Sequence, residues 1–161
     1  MNAHIPFFRQ RTGAYCGPAV MQMILRTHGM KATQDALARE AKTVHETGTS
    51  IANVVKTLRK HGFTVDAAHG RSVADLKRAL IRGWIVIVCF TERASDEGHY
   101  AIVLGFKGKH IVLHDPAQHL GKHAPFTIKE FETRWKDRLF TRSRRWAAFV
   151  APLSSGRART K

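Results

Sequence analysis

The chain has 161 residues, 43% of them hydrophobic and 24% charged, which suits one domain with an apolar core and excludes both a disordered chain and a disulfide-stapled miniprotein. Its 27 Lys plus Arg against 12 Asp plus Glu give a formal charge of +15, a surface that attracts polyanions and acidic peptides. The longest apolar run, residues 84–90, falls far below the roughly 20 residues of a membrane helix.

In chain order, Tyr15-Cys16-Gly17-Pro18 opens a helix that runs to about His28. Pro18 suits a first turn, Gly29 is a stop, and the segment is apolar nearly all round, so it is expected to be buried. A short helix is predicted from Thr33 to about Ala41. A third is capped by Ser50, carries Ile51, Val54, Val55 and Leu58 on one stripe, and ends at Gly62. Residues 63–68 are strand-like, and Ser72 with Asp75 forms a capping box for a helix ending near Gly83. Strands are predicted at 84–90, 99–106 and 110–114, the last two joined by Lys107-Gly108-Lys109 as a hairpin. Thr127 and Glu130 suggest a second capping box for a helix to about Asp137, and 146–150 a final strand. Helices followed by antiparallel strands predict an α+β fold of two halves with a cleft where they meet. The domain is placed at 1–153, with a basic disordered tail at 154–161.

The charge is uneven. Residues 134–161 carry nine basic side chains and one acid, Asp137, whereas residues 81–133 carry six of each. The N-terminus has neither the basic start nor the apolar stretch of a secretory signal, so a cytoplasmic location is expected, with non-classical export left open. Two cysteines in such a chain do not make a disulfide framework, and Cys89, inside the apolar run, reads as an inert core thiol.

Cys16 reads differently, because the N–H groups and positive dipole end of the helix that follows favour its thiolate. A cysteine nucleophile also needs an imidazole to take its proton and a third group to orient that imidazole. His99, at the first position of a strand, and Asp115, at the end of the neighbouring strand before Pro116, fall at one end of the predicted hairpin. Gln10 supplies a side-chain amide that can join the Cys16 N–H in holding an oxyanion.

Gln10 with five residues between it and Cys16, the string Cys16-Gly17-Pro18-Ala19, the segment from Gly98-His99 to Leu104 and Asp115-Pro116 together resemble the bacteriocin-processing, or double-glycine leader, peptidases. The resemblance covers the chain to about Val150 and implies a papain-like fold with Cys16 as nucleophile, His99 as general base, Asp115 as orienter and Gln10 in the oxyanion hole. It implies a peptide substrate, with an acidic leader cut after small residues, and a separate exporter as a partner. Members often form the N-terminal domain of an ATP-driven exporter, whereas this chain has neither membrane helices nor a phosphate-binding Gly-rich loop. Tyr15 and Pro18 also depart from the residues common in the exporter-linked members.

Two other classes compete. The same thiolate and imidazole can deamidate a glutamine or transfer an acyl group, as in toxin or effector proteins. A nucleic-acid binder could use Arg134, Lys136, Arg138, Arg142, Arg144 and Arg145 with Trp135, Phe140 and Trp146 as stacking platforms, although these aromatics suit core anchors better. His110, His114, Asp115, His119 and His123 crowd one stretch, but their spacing does not fit a helical ligand pair, and no metal or cofactor is expected.

Overall fold

The structure, a computed structural model, describes residues 4–93, 95–117, 125–136 and 144–153. Three helices come first: α1 (Cys16–Thr27), α2 (Gln34–Glu40) and α3 (Ile51–Lys60). Then follow β1 (Val65–Ala68), α4 (Val73–Ile81), β2 (Ile85–Thr91), β3 (Gly98–Lys107), β4 (His110–His114), β5 (Phe126–Thr127), α5 (Ile128–Arg134) and β6 (Ala147–Val150). The six strands form one antiparallel sheet in the order β1-β6-β2-β3-β4-β5.

Local chemistry sets most of these boundaries. Thr33, Ser50 and Ser72 each accept a backbone N–H at the start of α2, α3 and α4, and Asp75 completes the box by accepting from the Ser72 N–H. The box predicted for α5 forms only by half. Thr127 Oγ1 accepts from Glu130 N, but the Glu130 carboxylate is taken by the Arg93 guanidinium at 2.6 and 2.7 Å, a charge-assisted pair stronger than a neutral cap. That helix stops at Arg134, short of the predicted 137; residues 137–143 and the tail placed at 154–161 lie outside the described residues.

Alternation along the central strands divides the core between the two faces of the sheet. Tyr100 and Ile102 of β3 join Ile87 and Cys89 of β2 under α1 and α3, with Val20, Ile24 and Leu58. Ala101 and Val103 join Val86, Val88 and Phe90 on the other face, under α4 and α5, with Leu76 and Phe131. Helices thus cover both faces, so β2 is buried along its whole length. The helix-rich N-terminal half packs on the antiparallel sheet as expected, with α4 and α5 added on the opposite face, and the site sits at one end of this body.

Trp135 and Trp146 are core residues, 1% and 2% exposed, and the Trp135 indole N–H donates to Trp146 O at 2.8 Å. They are not available as base-stacking platforms. Arg138, Phe140 and Arg142 lie outside the described residues, as do His119 and His123. Among the described residues no helix is long and apolar enough to cross a membrane.

Candidate active site

The loop 12–15 turns the chain into α1, with Tyr15 N donating to Thr12 O at 3.1 Å, and delivers Cys16 as the first residue of that helix. Pro18 stands in the first turn, where a missing N–H costs nothing. Gly17 is required for a steric reason: a Cβ there would meet Thr49 Oγ1 at 2.8 Å and Thr49 Cβ at 2.9 Å. The loop 43–49 is pressed against the start of α1 in this way, and it is held by Tyr100 Oη donating to Thr49 O at 2.7 Å and by the Thr43–Thr49 hydroxyl pair at 2.7 Å.

His99 enters from β3. It pairs with Phe90 across the β2–β3 ladder, and the Phe90 ring meets the imidazole edge-on at 5.7 Å, so the second core props the ring from below. His99 is 6% exposed. Its Nε2 is 2.5 Å from Asp115 Oδ1, and Asp115 is fully buried. That leaves Nδ1 for the Cys16 thiol, with which the ring is hydrogen-bonded.

Asp115 reaches this place through a β-bulge. Lys107 pairs with His110 and Gly105 with Val112, and an unbroken ladder would set His114 opposite Val103. The register shifts between Val103 and Gly105, so His114 lies opposite Ile102 and Asp115 is carried one residue nearer the His99 end. Ala117 N also donates to Asp115 Oδ1 at 2.9 Å, fixing the carboxylate that receives the imidazole.

The electrostatics follow from this order. Burial alone would push the His99 pKa down, but the hydrogen bond it donates to Asp115, then that with Cys16, and the two negative charges raise it to about 10. Burial pushes the Cys16 thiol up, and the hydrogen bond and charge of His99, aided by the backbone at Tyr100 and Gly17, outweigh it and bring the thiol below its ordinary value. The two shifts have one cause: proton transfer from sulfur to imidazole yields an ion pair that each partner stabilises in the other. Cys89 is buried in β2 and packs in the core, as its place in the apolar run suggested.

Gln10 is buried, and its backbone N–H donates to Pro116 O at 2.9 Å, tying it to the residue after Asp115. Its side-chain Nε2 donates to Thr12 O at 2.8 Å and Gly13 O at 3.1 Å, so the amide braces the turn that presents Cys16. Gln10 and His99 face a common cleft of about 490 Å³. All four residues singled out in the sequence therefore meet at one end of the sheet.

Sequence reasoning missed Gln34. This buried side chain of α2 accepts from Arg11 N at 3.0 Å and donates to Arg9 O at 2.8 Å and to Gln22 Oε1 at 3.1 Å. It grips the peptide groups on both sides of Gln10. A glutamine in a helix's first turn gives no sign of this, because its partner lies 23 to 25 residues away. Thr49 was missed for the same reason.

An α+β sheet with a buried Cys-His-Asp chain beside the start of a helix defines a papain-like cysteine hydrolase. The Peptidase_C39 like family matches residues 3–141, and the chain belongs to that family, a family of cysteine peptidases. An uncharacterized protein of Methanothermobacter marburgensis is 31% identical over 109 residues, 68% of this chain and 70% of its own length. Among solved structures, the peptidase domain of Streptococcus ComA, a bifunctional ABC transporter of a quorum-sensing pathway, superposes with a TM-score of 0.75 at 22% identity, covering 93% of this chain and all of that one. A double glycine motif protease from an AMS/PCAT transporter, solved with its leader peptide, gives a TM-score of 0.69 at 18% identity and covers 94% of each chain. At these identities the structures speak for the fold.

Proposed function

We propose that this chain is an endopeptidase that cuts leader-like peptides after small residues, with Cys16 as nucleophile, His99 as general base and acid, Asp115 as orienter and Gln10 as an oxyanion donor. The observation that carries this reading is the buried chain of hydrogen bonds from Cys16 through His99 to Asp115. In the resting state the proton sits on His99. The thiolate attacks the scissile carbonyl carbon, and the oxyanion that forms is held by the Cys16 backbone N–H and by the Gln10 amide, which exchanges one of its loop carbonyls for it. The imidazolium then gives its proton to the departing amine as the carbon–nitrogen bond breaks, leaving a thioester on Cys16. Neutral His99 next takes a proton from water, which attacks the thioester and releases the acid and the thiolate. Asp115 stays ionised throughout and fixes which imidazole nitrogen faces the sulfur. The catalytic unit is residues 1–153.

The substrate class rests on the family and on charge. The double glycine motif protease is similar in fold and was solved with a leader peptide, which supports a small-residue cut here. An acidic amphipathic helix upstream of the cut would meet the basic surface of a +15 chain. A groove lined by the apolar Ile51, Val55 and Ala67 together with Lys56 and Arg59 is one surface of that character.

Kinetics on a Gly-Gly leader peptide and on its lysine-rich, charge-reversed version test this. The acidic peptide should be cut, and raising salt from low to physiological should raise its KM several-fold with little change in kcat, because screening acts on encounter and binding. Equal cleavage of the two peptides would remove the electrostatic docking. Deamidated glutamines with no new termini would replace the peptidase by a deamidase.

A further inference from the structure

The cleft beside His99 has walls of unlike chemistry. One is the segment Gln10 to Gly13, whose only charged side chain, Arg11, is paired with Asp35 of α2. The other is the turn leading into β3, which brings two carboxylates, Glu92 and Glu97, to the cleft of a chain with more than twice as many basic as acidic residues.

The turn is built to hold them apart. Glu92 is buried, and its Oε2 accepts from Ser95 N at 2.9 Å and Ser95 Oγ at 2.7 Å, so this carboxylate is folded inward. Glu92 N donates to Glu97 O at 2.9 Å and Asp96 N to Glu92 O at 3.1 Å, closing the turn, and Asp96 faces Arg134 at 3.8 Å. Glu97 is left exposed on the cleft wall, and among the described residues its carboxylate has no hydrogen bond or ion pair. It stands two residues from His99.

The direction of the cleft follows from the reaction, and in this the inference rests on the peptidase reading above. The imidazolium protonates the departing amine, so the peptide beyond the scissile nitrogen must pass His99. His99 and Gln10 line this cleft and Cys16 does not, which makes it the path of the downstream segment. We propose that Glu97 is a specificity residue that selects a lysine or arginine within the first two residues downstream of the cut. A cation there gains the carboxylate's attraction, and an acidic residue meets repulsion from Glu97 with no free cation on the facing wall to offset it.

The test uses three Gly-Gly leader peptides that differ only in the first two downstream residues, carrying lysine, glutamine or glutamate. The full chain is compared with E97Q and E97K, and the ratio of kcat/KM within each enzyme is the readout, so a change in folded fraction cancels. The lysine peptide should be favoured over the glutamate one by about five- to tenfold at low salt, as expected for an exposed charge acting by both attraction and repulsion. E97Q should bring the ratio close to one, and E97K should invert it. A preference that survives unchanged in both variants, or no preference in a wild-type enzyme that cuts all three peptides, would overturn the assignment of Glu97 alone. Failure of the wild-type enzyme to cut any of them would overturn the peptidase reading and this assignment with it.

Discussion

Cys16→Ala should abolish peptide cleavage, and His99→Ala should bring it close to that floor. Both remove a partner in the single proton transfer on which the reaction depends, so their effects should not add: the double variant should be no slower than Cys16→Ala alone. Asp115→Asn should fold and turn over slowly. An amide in that buried place can still accept from His99 Nε2, but it cannot stabilise the imidazolium, which loses the largest influence raising its pKa. The pH profile separates the roles. In the wild type kcat/KM should fall as pH rises through about 10, where His99 gives up its proton, and in Asp115→Asn that alkaline limb should move to lower pH. Full activity in His99→Ala would refute the dyad.

The second large effect belongs to Gln10. Replacing it by Ala should lower kcat about 10²–10³-fold, the usual cost of one lost oxyanion donor, with a smaller change in KM. Because the same amide holds Thr12 O and Gly13 O, the variant should also loosen the turn before Cys16. Gln34→Leu distinguishes the two contributions. It frees the peptide groups on either side of Gln10 while leaving the amide in place, so it should lower kcat on its own but add little in the Gln10→Ala background. Full activity in Gln10→Ala would remove that residue from the scheme and leave the triad intact.

What could be read from the sequence was whatever is local or polar in an apolar setting. Pro18, Ser50, Ser72 and the Lys107-Gly108-Lys109 turn act within a few residues of themselves, and the elements they bound appear within one or two residues of prediction. Cys16, His99, Asp115 and Gln10 stood out because their types and order resemble a known family, and the fold brings all four together. The bulge at Leu104 was not legible. Gly105 hints at an irregularity, but only the cross-strand register reveals that the slip brings Asp115 toward His99. The placement of β6 between β1 and β2 was equally hidden, since nothing local pairs strands some sixty to eighty residues apart. Gln34 escaped because its side chain holds the backbone of a distant segment, and Thr49 because its neighbours Gly17 and Tyr100 lie far away in sequence.

The central claim is that Cys16 and His99 rest as a thiolate–imidazolium pair, and the pH dependence of iodoacetamide alkylation, read by mass spectrometry at each cysteine, tests it most directly. Both thiols are buried in the fold, so the ionisation of Cys16 and its place beside the cleft must make the difference. Alkylation of Cys16 should persist well below about pH 8, where an ordinary thiol is mostly protonated, while Cys89 reacts only in the unfolded protein. In His99→Ala the low-pH reactivity of Cys16 should vanish. Equal rates at the two thiols in the folded chain, or a Cys16 profile that His99→Ala does not move, would contradict the account.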